Sequence, residues 1–194
     1  MSFDLFVYTL AIPKDLGRRV EDALARHNVA AHCRYYDEGE DNGGTLGVAF
    51  DAGGEFENED DATFVDWRPL ESLEMEDWEI GTNEERAIIP ACRWEAGIST
   101  SAGRDDVAFA KQVRAAVAVM EACGGVLRDP QAKDHAYFFD LARAWRWADA
   151  LIAESASERA HCRSENGDHR RCAHSTMALR KDELSSSFPR APSL

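Results

Sequence analysis

Apolar residues between positions 104 and 130 recur at steps of three and four, which is the period of one helix face. Asp105 or Asp106 can cap the start of this helix, and Gly124 stands where a left-handed stop favours a residue without Cβ. Residues 125–129 predict a short strand, which Pro130 ends. We therefore predict a central helix that leads back into a sheet, with an apolar stripe formed by Phe109, Val113, Ala116, Val117, Met120 and Cys123.

The first fifty residues predict a strand, a helix and a hairpin. Residues 2–10 are rich in aromatic and β-branched side chains, which are typical of a buried strand. A helix follows from Pro13, and Asn28 is its expected stop. Residues 29–36 and 45–50 predict two strands joined by a Gly-containing acidic loop. The inner face of the helix is expected at Leu16, Val20, Ala23, Leu24 and His27.

Further elements are predicted on both sides of the central helix. Residues 62–68 alternate in polarity, which predicts a half-exposed strand with Thr63, Val65 and Trp67 on one face and Phe64, Asp66 and Arg68 on the other. Residues 70–80 fit a short helix. Residues 87–94 predict a strand, where Pro90 implies an edge or a bulge. A long helical pattern extends from 134 to about 160, with Tyr137, Leu141, Trp145, Ala148 and Ile152 on its stripe.

Without the insert at 62–94, the element order is strand, helix, strand, strand, helix, strand. This is the order of the split βαβ arrangement in ferredoxin-like folds. We therefore predict an α+β fold, an elaborated ferredoxin-like (βαββαβ) sandwich with extra strands and an added C-terminal helix. Residues 1–160 are expected to form a single domain. The polar, basic composition of 161–194 predicts a partly disordered tail.

Composition favours a cytoplasmic protein. The chain has 194 residues, of which 44% are apolar, so it can bury a core. No apolar run reaches the roughly 18 residues of a membrane-spanning helix, and the opening MSFDLFVYTL has no basic region typical of a secretion signal. The five cysteines are odd in number and widely spaced, which is typical of reduced thiols.

Negative charge is concentrated in one segment of the sequence. Residues 37–79 contain sixteen Asp or Glu and one base, Arg68, which gives a net charge of −15. Because the whole chain carries −14, the remaining residues sum to +1. We call residues 37–79 the acidic segment.

The acidic segment has two interpretations. Clustered like charge can attract a basic partner and raise its association rate, and aromatic residues within such a cluster are typical of protein interfaces. Alternatively, the charges form a solvated face and the aromatic residues belong to the core. On the first interpretation, the partner-binding residues are Asp37, Glu38, Glu40, Asp41, Glu57, Glu59, Asp60, Asp61, Trp67 and Trp78.

Metal binding is weakly indicated. Asp37, Gly39 and Asp41 alternate as in a calcium loop, but Asn42 stands at the position that requires Gly and Val48 at the position that requires Glu. In the tail, the candidate zinc ligands are Cys162, His169, Cys172 and His174, but they lack a closely spaced Cys pair. We expect no metal and no cofactor, and a zinc-stabilised regulatory protein remains an alternative that would use Cys162, His169, Cys172 and His174.

Catalytic motifs are absent from the sequence. There is no G-x-S-x-G, H-E-x-x-H, Walker or dinucleotide-binding glycine pattern. His32 and Cys33 are neighbours on a predicted strand, so their side chains face opposite ways. An enzyme of unknown reaction remains the alternative, with carboxylates such as Asp66 and Glu95 lining a cleft near His32.

Two segments carry a resemblance to known proteins. The opening Met1–Tyr8 and the helix-Gly-Gly-strand-Asp-Pro-Gln segment from Ala118 to Gln131 resemble small bacterial cytoplasmic proteins, some of which are similar to immunity proteins of polymorphic and contact-dependent toxin systems. Such proteins are small, acidic and non-catalytic, and they neutralise a toxin by covering its active site or an adjacent surface. The resemblance implies an inhibitor that engages a basic toxin or nuclease through an acidic face. We expect neither nucleic acid nor a membrane as partner.

Overall fold

The computed structural model describes residues 4–37, 43–50, 62–70, 88–100, 106–131 and 136–165. The predicted helix at 70–80 lies almost wholly outside these ranges. The described residues form a β-sheet and three helices, with a short 3-10 turn at Ile89–Ala91. In chain order, the elements are β1 (Leu5–Thr9), α1 (Leu16–Arg26), β2 (Ala31–Asp37), β3 (Gly44–Phe50), β4 (Thr63–Pro69), β5 (Trp94–Thr100), α2 (Asp106–Cys123), β6 (Val126–Asp129), β7 (Ala136–Phe138) and α3 (Leu141–Glu165).

The strands form one antiparallel sheet of seven strands in the order β2-β3-β4-β5-β1-β6-β7. The first strand of the chain lies inside the sheet because β5 and β6 pair with its two sides. Its composition suits this position, since Leu5, Val7 and Tyr8 are all buried. The edge strands are β2 and β7.

All three helices pack against the same face of the sheet. Their apolar stripes and the inward side chains of β1, β3, β4 and β5 form one hydrophobic core. In α1, four of the five predicted inner residues are buried, namely Leu16, Val20, Ala23 and Leu24. The fifth, His27, lies just after the helix and is half-buried. Asn28 has a φ of 58° just after α1, as expected for a helix stop. The opposite face of the sheet carries a smaller apolar cluster of Tyr8, Ile89, Cys92, Val126 and Tyr137.

The turn from α2 into β6 confirms the central prediction. Gly124 has a φ of 64°, the left-handed conformation expected at the helix stop. Gly125 has a φ of 148°, and a Cβ on it would lie 2.1 Å from the carbonyl oxygen of Tyr8. Only glycine fits there, because β1 approaches the turn so closely.

A polar cluster joins the three helices. The Glu121 carboxylate of α2 accepts hydrogen bonds from Arg26 of α1, at 2.6 Å, and from the indole Nε1 of Trp145 of α3, also at 2.6 Å. His27 stacks on the Trp145 ring with 3.6 Å between centroids. One carboxylate therefore fixes the relative positions of the helices.

Two predicted elements are wrong. Residues 88–93 do not form a strand: Pro90 stands in the first turn of the 3-10 segment, where its fixed φ is favourable, and β5 begins only at Trp94. The long C-terminal helix does not include Tyr137, because residues 136–138 form β7 and pair with β6. The helix begins at Leu141, and the Asp140 carboxylate accepts a hydrogen bond from the Arg143 N–H near its start.

The predicted α+β class is confirmed, and a helix, α3, follows the last described strand. The strands beside β1 are β5 and β6, whereas the hairpin of β2 and β3 lies at the far edge of the sheet. The helix α3 extends to Glu165, which is five residues into the segment predicted as a tail. Residues 166–194 lie outside the described ranges.

Candidate functional site

The face of the sheet opposite the helices carries most of the polar side chains of β2 and β4. Because side chains alternate along a strand, the residues that do not enter the core point to this side. His32, Arg34, Tyr36, Asp66 and Arg68 are exposed there. We call this surface the open face, and we define it by His32, Arg34, Tyr36, Thr45, Phe64, Asp66, Arg68 and Glu95.

An aromatic pair crosses β3 on the open face. The rings of Tyr36 and Phe64 lie 5.6 Å apart, and the Arg34 guanidinium lies 5.6 Å from the centre of the Tyr36 ring. Gly47 of β3 is paired with Arg34 on one side and with Phe64 on the other. With no side chain at position 47, the neighbouring side chains can meet above the strand. Tyr36 is 42% exposed, so part of this aromatic surface contacts solvent.

Two polar pairs lie beside the rings. Asp66 is exposed, and its Oδ1 accepts a hydrogen bond of 2.6 Å from the Thr45 hydroxyl. Arg68 is paired with Glu95 across β4 and β5 and donates to its carboxylate at 2.8 Å. Each pair joins adjacent strands, so the positions of the carboxylates are set by the sheet register.

The open face ends at β1 and β6. Tyr8 is buried there as part of the small apolar cluster that contains Ile89 and Cys92. Its hydroxyl oxygen accepts a hydrogen bond of 3.4 Å from the Arg128 guanidinium. Burial raises the pKa of the Tyr8 hydroxyl above its usual value, although the hydrogen bond from Arg128 opposes this shift. At neutral pH, Tyr8 is therefore a protonated donor rather than a base.

The acidic segment is attached to the sheet at two opposite ends. Asp37 and Gly44 lie at one end of β3, where Gly44 pairs with Trp67 and where β4 also ends. Residues 38–42 and the residues after Leu70 connect there. Residues 51–61, with six acids, connect at the other end of β3, about 20 Å away along a strand of seven residues. The negative charge is thus contiguous in sequence but divided between two attachment points.

Of the ten predicted partner-binding residues, the structure describes Asp37 and Trp67. Asp37 is exposed at the end of β2. Trp67 is only 5% exposed and packs in the core, edge-on to Tyr35, because it shares the inward face of β4 with Val65. It is therefore not an exposed interface anchor. The other eight lie outside the described residues, namely Glu38, Glu40, Asp41, Glu57, Glu59, Asp60, Asp61 and Trp78.

The three residues of the enzyme alternative do not converge. Asp66 is opposite Thr45, whereas His32 is opposite Ala49, four residues further along β3 and two strands away from β4. The backbone positions of Asp66 and His32 are therefore about 16 Å apart. Glu95 is closer to Asp66, but Arg68 neutralises its carboxylate. These side chains do not form an acid–base pair.

The described thiols are not reactive nucleophiles. Burial raises the pKa of Cys33 and of Cys123 to about 12, and burial also raises the pKa of Cys92. All three are free thiols. Within the described ranges, no group of three or more His, Cys, Asp or Glu is arranged to hold a metal ion. Of the zinc candidates, Cys162 belongs to α3, and the other three, His169, Cys172 and His174, lie outside the described residues.

The sequence did not single out Arg34 and Tyr36 as site residues. Their alternation with the inward Cys33 and Tyr35 is visible in the sequence, but the contact with Phe64 depends on the pairing of three strands. Gly47 is the one local signal for this contact.

No protein-family model, curated protein or solved structure matches this chain. In the part of the chain that the structure describes, no helix is long and apolar enough to cross a membrane. What the protein does is therefore inferred from its own residues.

Proposed function

We propose that this chain is a non-enzymatic binding protein, an immunity-like inhibitor that engages a basic partner protein, such as a toxin or nuclease, through its acidic segment. The observation that carries the proposal is the segregation of charge, with sixteen acids and one base between residues 37 and 79. Such a concentration attracts a basic surface over a distance of about 8–10 Å at physiological salt and accelerates association.

The described part of the acidic segment supports this role. Asp37 and Asp66 are exposed, and both lie beside Thr45, which pairs with each of them across β3. Strands β3 and β4 hold the attachment points in a fixed register. For Asp37 on β2 and Asp66 on β4, the backbone is therefore already ordered before a partner binds.

The strand arrangement supports a ferredoxin-like assignment in which the β2–β3 hairpin is the insert, and not residues 62–94 as the sequence predicted. Strands β5 and β6 are connected through α2 and have β1 between them. Likewise, β1 and β4 have β5 between them, and their connection contains α1 and the β2–β3 hairpin. We interpret β1, β4, β5 and β6 as two interleaved split βαβ units of an elaborated ferredoxin-like fold. The free thiols of Cys33, Cys92 and Cys123 support a cytoplasmic location.

The experiment is affinity capture from extracts of the source organism, followed by kinetic measurement with the purified partner. We expect a basic protein that binds in a one-to-one ratio and whose association rate falls as salt rises from about 50 mM to about 300 mM. The double reversal of Asp37→Lys and Asp66→Lys should slow association about tenfold.

The matched control is the double reversal of Asp22→Lys and Glu154→Lys, which makes the same change in net charge. Asp22 and Glu154 are exposed on α1 and α3, on the helical side of the molecule. Circular dichroism verifies that all variants fold. If salt and both reversals leave association unchanged, or if the control slows it equally, the acidic segment is not the binding surface.

A further inference from the structure

The aromatic pair on the open face already holds a guanidinium. Arg34 places its Cζ 5.6 Å from the centre of the Tyr36 ring, and Phe64 lies against the same ring on the far side of β3. The face of an aromatic ring attracts cations because its π-electrons are negative, and a guanidinium can also stack on it. The contact with Arg34 therefore indicates that the Tyr36 ring accepts a guanidinium group.

A carboxylate lies beside the rings to pair with such a group. Asp66 is two residues from Phe64 on the same face of β4, about 7 Å along the strand. Tyr36 and Asp66 stand on opposite sides of β3, so their backbones are about 10 Å apart. The Thr45 hydroxyl orients the carboxylate by donating to Oδ1 at 2.6 Å. A planar cation between the two side chains can contact both.

The surrounding charge favours a protein ligand over a nucleic acid. An exposed sheet face with aromatic and arginine side chains can also stack single-stranded bases. Here, however, the exposed carboxylates of Asp37 and Asp66 lie next to the two rings, one after Tyr36 on β2 and one after Phe64 on β4. These two carboxylates disfavour a phosphate beside the rings and attract an arginine side chain.

The geometry points to an arginine-binding position on the open face, in which Tyr36 and Phe64 supply the stacking surface and Asp66 supplies the carboxylate for an arginine of the basic partner. This inference rests on the proposed function and names the side chain that the partner contributes. Lysine satisfies the carboxylate but stacks less well, so the position discriminates between the two cations. When the partner arginine binds, it competes with Arg34 for the Tyr36 ring.

The test uses two defined probes, fluorescent octa-arginine and octa-lysine peptides, and the full chain at low salt. Both peptides bind the acidic segment through charge, so the ratio of their affinities isolates the stacking contribution. We expect octa-arginine to bind about threefold more tightly. Tyr36→Leu should abolish this preference, because it keeps an apolar side chain but removes the ring, and Tyr36→Trp should retain it. Equal affinities for the wild-type chain, a preference that survives Tyr36→Leu or a failure of both peptides to bind would overturn the inference.

The competing arginine gives a second variant. Arg34→Ala should increase the preference for octa-arginine, because it removes a guanidinium that competes with the peptide for the Tyr36 ring. Arg18→Ala is the matched control: it removes the same charge from an exposed position on α1, where the side chain is 81% accessible, and should leave the ratio unchanged. Equal ratios for the two variants would contradict the competition. A third probe, an oligothymidine of eight nucleotides, should not bind, and binding that depends on Tyr36 would reassign the surface to single-stranded nucleic acid.

The two proposals fail in different ways. If the partner of the chain associates independently of salt and of charge reversal, the proposed function is wrong whatever the peptides show. If the partner responds to charge but the peptide ratio does not depend on Tyr36, the acidic segment binds the partner without the arginine position.

Discussion

Replacement of Glu121 by alanine should cost about 2–3 kcal/mol of unfolding free energy. The indole N–H of Trp145 donates to this carboxylate, and Trp145 is only 4% exposed, so the variant leaves a buried donor without its acceptor, which costs about 1–3 kcal/mol. The ion pair with Arg26 adds less, because the Arg26 side chain is 57% accessible and exposed pairs contribute at most about 1 kcal/mol. The hydrogen bond to the indole is therefore the larger contribution.

Urea denaturation measures this cost, followed by circular dichroism and by tryptophan fluorescence to test whether the two transitions coincide. Glu121→Gln keeps an acceptor oxygen for the indole and should cost only about 1 kcal/mol. Arg26→Ala removes the ion pair alone and should cost about 0.5 kcal/mol. If Glu121→Ala destabilises the protein no more than Arg26→Ala does, the hydrogen bond to Trp145 does not hold the helices together.

Three further predictions concern the turn, the thiols and the buried tyrosine. Gly125→Ala should prevent folding or lower the melting temperature sharply, because its Cβ would lie 2.1 Å from a backbone oxygen, whereas Gly124→Ala, with nothing within 4 Å, should cost only about 1–2 kcal/mol. Cys33 and Cys123, with pKa values of about 12, should react with a thiol reagent at about pH 8 roughly 1,000-fold more slowly in the native than in the unfolded chain, as measured by mass spectrometry of labelled peptides. Because burial raises the pKa of Tyr8, the folded state holds this proton more tightly than the unfolded state, so stability should fall as pH rises above about 10. Tyr8→Phe should reduce that fall in urea denaturation at about pH 8 and about pH 11; an equal fall in the variant would assign it to other groups.

Local signals in the sequence were sufficient to predict α1 and α2, but not the start of α3. The helix α2 and its stop at Gly124 depend on residues close together in the chain, and both are confirmed. Burial on α2 is wider than the predicted stripe, because Ala110, Gln112 and Ala115 are buried as well. Residues 136–138 fit the helical period equally well, but pairing with β6 makes them a strand. In residues 88–93, Pro90 favoured a 3-10 turn over extended backbone. Tertiary pairing and one proline thus overrode patterns that were ambiguous locally.

The candidate site was less predictable than the fold, because it depends on register. The concentration of acidic residues between positions 37 and 79 is visible in the sequence alone. The pairing of Arg68 with Glu95 joins residues 27 positions apart, and the meeting of Tyr36 with Phe64 depends on a third strand between them. A shift of one residue in β4 would turn Asp66 inward and Trp67 outward. The alternation of residues 62–68 predicted these two faces, but it does not predict which strands β4 pairs with.

The interior position of β1 has a consequence for synthesis on the ribosome. This strand is made before the other six described strands, and its two neighbours are made much later: Leu5 pairs with Ile98, and Tyr8 pairs with Val126. At translation rates of about 5–20 residues per second, Tyr8 waits roughly 6–24 s for its partner. During that interval, the nascent chain exposes an apolar strand that cannot yet close the sheet. We therefore expect the newly made protein to depend on chaperones. The sheet can close around β1 only after β6 has left the exit tunnel.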